Sequence, residues 1–396
     1  MAEPRLATSD ELARAAATAK QRGRFGIDTE FISEGRYRPL LCLAQVAVDD
    51  PEHGGGVDVV LINTLDPDVA VAPIAALLAD PRVEVVLHAG RQDVAILRRA
   101  WETDITNLFD TQVAAGFAGQ SAQSGYGNLI GAILGRRLAK TASYTRWDAR
   151  PLSGEQLRYA AEDVVDLLDL ADELKRRLRQ TGRLQWAVEE CRRLESATEE
   201  RDPEAVWERL PRVAQLDARS RAVARALASW RERTAASEDR PVGSVLADQV
   251  VVEVARRRPS TLDALSQIRG VHRSVLKRRG EDVLAAVARG MQDPPIPRER
   301  AQPRSEPTDA PVISLAEAWL RARALDAGLA YELLASRAEL EAVIGAARRG
   351  DPEPAVRALT GWREQLVGAE LRNLVSGRRG LAVDGDLRLR LVEASR

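Results

Sequence analysis

The sequence has little cysteine: Cys42 and Cys191 are far apart and form no C-x-x-C arrangement. That excludes a disulfide framework and a thiolate zinc site, and it suits a reducing interior. The three histidines form no cluster. No apolar run approaches 18 residues, so no transmembrane helix is expected. The opening stretch MAEPRLATSDELARAAATAK has no apolar core of signal-peptide length. A cytoplasmic protein without membrane attachment is the expectation. A net charge of −1 gives no excess of either sign, so overall charge points to no partner.

What is present is a globular composition, 45% hydrophobic and 30% charged, in 396 residues, enough for two or three domains. Charge is unevenly spread: residues 1–200 carry 24 Lys and Arg against 31 Asp and Glu, and residues 201–290 carry 18 against 12. Over 1–200, short Val-, Ile-, Leu- or Phe-rich segments (RFGIDTEF, LLCLAQVAV, VDVVLIN, VEVVLHA) alternate with helical patterns. Those patterns are SDELARAAATAKQRG with a Ser9 or Asp10 cap, VAVAPIAALLAD, RQDVAILRRAW and SGEQLRYAAEDVVDLLDLADELKRRLRQTG. This alternation predicts an α/β domain with a mixed sheet over 1–200. Strand signals then stop. A helical block over 204–292, a Pro-rich linker over 293–311 and a second helical block over 312–396 follow, and each block carries a Trp-Arg element, LASWRERT and LTGWREQL.

Carboxylates stand where a core would not want them. In GRFGIDTEFIS, Phe25 and Ile27 belong to a buried strand, yet Asp28 and Glu30 leave from one face of it and repel each other. Asp93 opens a helix among Val94, Ile96 and Leu97. Tyr159 and Asp163, four apart, share a helix face. Asp110, before Thr111 and Gln112, fits a helix N-cap better than a ligand, and Asp166 and Asp169 fit a solvated face. If Asp28, Glu30, Asp93 and Asp163 converge, they make an oxygen-only site for Mg2+ or Mn2+ rather than zinc. Two such ions suit phosphodiester cleavage.

FGIDTEF, LHAGRQD, FDTQVAA, RWDARPL and YAAEDVVDLL, in this order, resemble the motifs of the ribonuclease D family, DEDD-type 3′–5′ exoribonucleases with a tyrosine in the third motif. The resemblance implies a ribonuclease H-like mixed sheet flanked by helices. It places metal ligands at Asp28, Glu30, Asp93 and Asp163 for two divalent cations, Mg2+ or Mn2+, and Tyr159 beside the attacking water. The two helical blocks resemble HRDC domains, which makes the expected fold an α/β catalytic domain followed by two small all-α HRDC-like domains. The tail LVSGRRGLAVDGDLRLRLVEA matches that pattern loosely.

The expected substrate is the single-stranded 3′ end of RNA, such as a transfer RNA precursor, and the expected state is a monomer. Arg269, Arg273, Lys277, Arg278 and Arg279 surround a Gly-containing turn that either holds phosphates or is an ordinary charged face. Arg256, Arg257 and Arg258 are secondary candidates. Phe31 and His88 either touch a base or pack locally. Lys140 and Arg146 are candidate phosphate contacts, and Trp147 is a packing residue. The Gly-rich GQSAQSGYGNLIGAILG lacks a Lys-Ser/Thr ending and is no P-loop. Two competing readings remain: a 3′–5′ deoxyribonuclease on the same site, and an RNA-binding or helicase-associated scaffold with an idle site.

Overall fold

The computed structural model describes residues 4–50, 56–138, 146–298, 306–351 and 354–394. Five strands build the sheet: β1 (Arg24–Ile32), β2 (Leu40–Asp50), β3 (Gly56–Asn63), β4 (Glu84–Leu87) and β5 (Leu108–Asp110). Their order is β3-β2-β1-β4-β5, with β1, β2 and β3 antiparallel and β4 and β5 parallel to β1. β2 is buried from Leu41 to Val48 because helices cover both sides of the sheet, so it reads as an apolar run rather than an alternation.

Helices α1 (Ser9–Arg22), α2 (Ala72–Leu78) and α3 (Arg91–Ala100) share a core with Phe25 and Ile27 on one face. The cap of α1 is Thr8, not Ser9 or Asp10. Its side chain accepts from the Glu11 N–H, and Glu11 returns the bond to Thr8. On the other side lie α4 (Thr111–Phe117), α5 (Tyr126–Leu129), α6 (Gly154–Val165) and α7 (Leu167–Gln180), with α8 (Leu184–Arg192) against β5. The long helical pattern expected after Ser153 is two helices, broken at Asp166, where the backbone leaves helical geometry.

The first helical block is α9 (Ala218–Ser237), α10 (Val242–Val245), α11 (Asp248–Arg257), α12 (Leu262–Ser266) and α13 (Arg273–Gln292), around a core of its own that includes Val223, Leu227, Val251, Leu265 and Val283. The second is α14 (Asp309–Ala327), α15 (Arg337–Arg348), α16 (Gly361–Arg363) and α17 (Ala369–Val375). Two expectations need correction here. Helix α14 begins at Asp309, inside the stretch assigned to the linker. The second block is not all-α, because its tail forms a hairpin of β6 (Arg379–Val383) and β7 (Leu389–Glu393), joined by a loop over Asp384–Arg388. Among the described residues no helix is long and apolar enough to cross a membrane.

The two Trp-Arg elements do different work. In the first block Arg231 bonds inward, to the Leu246 carbonyl and Asp248, at 2.9 and 2.6 Å. In the second, Trp362 stacks on Trp186 at 5.2 Å and meets Phe117 edge-on at 5.0 Å, both residues of the α/β domain. Arg363, fully buried, grips Glu190 of α8 with two bonds of 2.6 and 2.8 Å and donates to the Leu333 carbonyl. The second block therefore shares its core with the α/β domain. The first block joins it through Tyr37, whose hydroxyl donates to Glu232 at 2.9 Å, and through the Arg36–Asp239 pair at 2.6 Å.

Removing the Arg363 side chain takes the two shortest bonds from the buried Glu190 carboxylate and leaves it the Trp362 N–H at 3.4 Å and the more distant Arg193 and Arg357, a loss of about 3 kcal/mol, the low end for breaking a buried pair. Arg363→Ala is expected to lower the thermal unfolding midpoint sharply, whereas Arg36→Ala, at the exposed pair, moves it little. Equal midpoints for Arg363→Ala and the parent chain would count against this anchor.

Candidate active site

The alternation of β1 sorts its side chains. Phe25 and Ile27 join the α1–α3 core, while Gly26, Asp28 and Glu30 face α6 and α7. A Cβ on Gly26 would come within 3.2 Å of Leu167 Cδ2, so glycine lets α7 close onto the strand just before the acidic pair. Asp28 stands opposite Gln45 of β2 and Glu30 opposite Leu43, and a register shift follows between Glu30 and Phe31. Asp163 comes from α6, whose start is fixed by a Ser153–Gln156 capping box.

Asp28, Glu30 and Asp163, all half-buried, offer carboxylate oxygens within 4.8 Å of one another. Asp93 lies just outside that set. Its carboxylate accepts the Thr29 hydroxyl, while its charge still acts on Asp28 and Glu30. Its position is set by Asp110. One oxygen of this buried side chain caps α4 through the Gln112 and Val113 N–H groups at 2.8 and 3.1 Å. Both oxygens also accept from Ala89 and Gly90, at 3.2 and 2.9 Å, in the turn that launches α3.

Burial raises every member, and the neighbouring cluster carboxylates add to it at Asp28 and Glu30. The Asp28 pKa goes well above the ordinary value, through burial first and then Asp93, Asp163 and Glu30. Burial, Asp163 and Asp93 push Glu30 up to about 8. Burial lifts Asp163 to about 7 against a hydrogen bond from Tyr159 that favours its charge. Burial also raises Asp93. At about 4 Å each like-charged pair repels by a few kcal/mol. A hard divalent cation is what this donor set fits.

Tyr159 lies one turn before Asp163 and donates to it, and its ring leans on the buried Trp147 with centroids 6.0 Å apart. Two neighbours of this cluster are invisible to motif reading. Tyr126 is close enough for Asp166, Asp163 and Asp28 to act on its phenol, and its buried hydroxyl has no hydrogen-bond partner among the described residues. Gln45 is buried with both ends of its amide in the same condition. Only coordinates reveal such unmet groups.

Of the remaining candidates, Phe31 is half-buried against the Phe25–Ile27 cluster. His88 pairs through Nδ1 with the Thr111 hydroxyl at 2.9 Å and packs on Tyr126 at 5.5 Å, and burial lowers its pKa. Lys140 lies outside the described residues. Arg146 is exposed and paired with Asp148. Arg256 and Arg257 pair with Glu253. Arg269, Arg273, Lys277 and Arg278 are exposed at the α12–α13 turn. Arg279 is corrected: it is buried, 6% exposed, and holds Glu238 with bonds of 3.1 and 2.6 Å, so it braces the module instead of facing solvent.

A 3′-5′ exonuclease family profile matches residues 5–179, and an HRDC domain profile matches residues 220–287. Ribonuclease D of Gluconacetobacter diazotrophicus is 36% identical, over 96% of this chain and 94% of its own length. That of Granulibacter bethesdensis is 38% identical over 96% and 95%. Among solved structures, Escherichia coli RNase D, described as an exoribonuclease involved in structured RNA processing, superposes with a TM-score of 0.80 at 28% identity, covering 95% of this chain and 99% of that one. The RRP6 catalytic core of Trypanosoma brucei shares the fold, with a TM-score of 0.56 at 21% identity over 72% of this chain and 78% of its own.

A carboxyl whose pKa rises on folding contributes stability that is complete below the unfolded value near 4 and is lost as pH climbs through the folded value. For Glu30 and Asp163 that loss builds from about pH 4 upward and is complete once pH has passed about 7 to 8. In chelator, Asp28→Asn is therefore expected to gain thermal midpoint relative to the parent chain at pH 8 but not at pH 5. Mg2+ is expected to raise the parent's midpoint more at pH 8 than at pH 5. Equal Mg2+ increments at both pH values would contradict the coupled acidic cluster.

Proposed function

The chain belongs to the ribonuclease D family and is a 3′–5′ exoribonuclease; from that premise we propose that Asp28, Glu30, Asp93 and Asp163 hold two divalent cations, Mg2+ or Mn2+, for its chemistry. The observation that carries this reading is the convergence of Asp28, Glu30 and Asp163 within 4.8 Å, half-open to solvent, with Asp93 beside them. When bound, two such ions activate the attacking water and stabilise the leaving oxygen of an in-line displacement. The chain's own residues prepare that step. These carboxylates would hold the cations, whose charge would offset their repulsion and favour their ionised form. Tyr159, held by Asp163 and backed by Trp147, orients the nucleophile. Burial and the adjacent carboxylates raise its phenol above the ordinary value, so it acts as a hydrogen-bonding guide rather than a base.

Its substrates are structured RNAs with a single-stranded 3′ end, such as transfer RNA precursors. Arg269, Arg273, Lys277 and Arg278 neutralise phosphates at the exposed turn of the first helical block, and His88 and Phe31 line the approach of the terminal nucleotide. The second helical block, from Asp309 onward, braces the catalytic domain through Trp362 and Arg363. One chain supplies all four carboxylates and Tyr159, so the monomer is competent. The two buried, free thiols suit a cytoplasmic setting.

On a labelled single-stranded RNA, Asp28→Ala is expected to lower kcat by about 10³-fold or more, and Tyr159→Phe by about 10²-fold with KM little changed. Full activity of Asp28→Ala would overturn the site. Arg273→Ala with Lys277→Ala is expected to weaken RNA binding and flatten the log K against log [salt] slope by about 0.7 per lost phosphate contact. Arg279→Ala is expected to lower the thermal midpoint without that change in slope. An unchanged slope in the double variant would remove these residues from the RNA path.

A further inference from the structure

Gln45 is 0% exposed at the centre of β2, and neither its amide nitrogen nor its carbonyl oxygen has a hydrogen-bond partner among the described residues. A carboxamide brings two donor hydrogens and two acceptor sites. Leaving all of them unmet in an interior is costly, and a leucine or methionine of similar size would fill the same space without that cost. The surroundings give no local reason for an amide. Along the same face of β2 are Leu43 and Ala47, and opposite on β3 is Leu61, all buried and apolar.

The exception is on β1. Asp28 is the residue directly opposite Gln45 in the antiparallel ladder, with Glu30 on the diagonal. Opposed residues project from one face with Cβ atoms about 4.5–5.5 Å apart. The amide thus lies at the inner wall of the acidic cluster, beneath α6, which crosses β1, β2 and β3 and carries Tyr159 and Asp163. A ligating carboxylate keeps one oxygen for the ion and needs a donor for the other, and such supporting donors tune affinity.

We propose that Gln45 is a positioning residue of the metal centre: its amide N–H2 donates to the Asp28 carboxylate and fixes which oxygen that side chain presents to a divalent cation. The amide polarity is then met only when Asp28 is charged and loaded. This rests on the cation reading above, and the test separates the two.

The full-length chain, with Gln45→Met, Gln45→Leu and Asp28→Ala variants, is titrated with Mn2+ while free Mn2+ is followed by electron paramagnetic resonance. Thermal midpoints are taken in chelator. Gln45→Met is expected to bind Mn2+ about 10- to 100-fold more weakly than the parent, with a metal-free midpoint equal to or above it. Gln45→Leu provides the same reading with a different shape should the methionine fit poorly. Parent-like Mn2+ affinity in a folded Gln45 variant, with Asp28→Ala impaired, would overturn the Gln45 role alone. Absence of Mn2+ binding by the parent chain would overturn the cation site and the Gln45 role together.

Discussion

Repulsion among carboxylates is the constraint around which the α/β domain is arranged. Three carboxylates within 4.8 Å of one another, with a fourth alongside, do not stay together by their own chemistry. Rigid parts hold them. β1 lies in the middle of the sheet, paired with β4 from Arg24 to Gly26 and with β2 from Gly26 to Ile32, so Asp28 and Glu30 leave a strand anchored just before them on both sides and held along β2. Asp163 is carried by a helix with a reciprocal cap. Asp93 is held through Asp110, which ties the start of α3 to the start of α4. Each device is ordinary; together they store the electrostatic tension that a cation relieves.

The helical blocks meet this domain in two ways, and the contrast follows from one arginine in each. Arg363 is buried across the boundary in a bidentate pair with Glu190, beside the Trp186–Trp362 stack, so the second block is an extension of the catalytic core. Arg231 is spent inside the first block, which meets the α/β domain through polar contacts at Tyr37 and Arg36. A module joined by polar contacts and carrying exposed cations at the α12–α13 turn is suited to adjust to an RNA. A module joined by shared core is suited to brace.

Much of the site was legible because charge in an apolar segment is conspicuous. Asp28 and Glu30 interrupt a strand, and Tyr159 and Asp163 repeat at helical spacing. Their convergence was carried by the family resemblance, since sequence spacing cannot bring Asp93 to β1. Gln45 escaped notice because one amide in LLCLAQVAV looks like a tolerated polar residue, and its lack of partners exists only in three dimensions. In the sequence Arg279 groups with Arg278 beside the Gly-containing turn, whereas in the fold it points inward. A signal was available, because Arg279, Val283, Ala286, Val287 and Gly290 fall on one helical stripe, and all are buried. The hairpin was also available. Asp384-Gly385-Asp386 stands between LAV and the alternating LRLRL, a turn-forming run between strand-like segments, although the loop it opens extends to Arg388.

The central claim is that this cluster is a cation cage. It is tested most directly by a crystal of the protein soaked in Mn2+ and measured at a wavelength where manganese scatters anomalously. Two anomalous peaks are predicted, roughly 3.5–4 Å apart, enclosed by the carboxylates of Asp28, Glu30, Asp93 and Asp163. Manganese bound elsewhere, with these four side chains left unliganded, would contradict it.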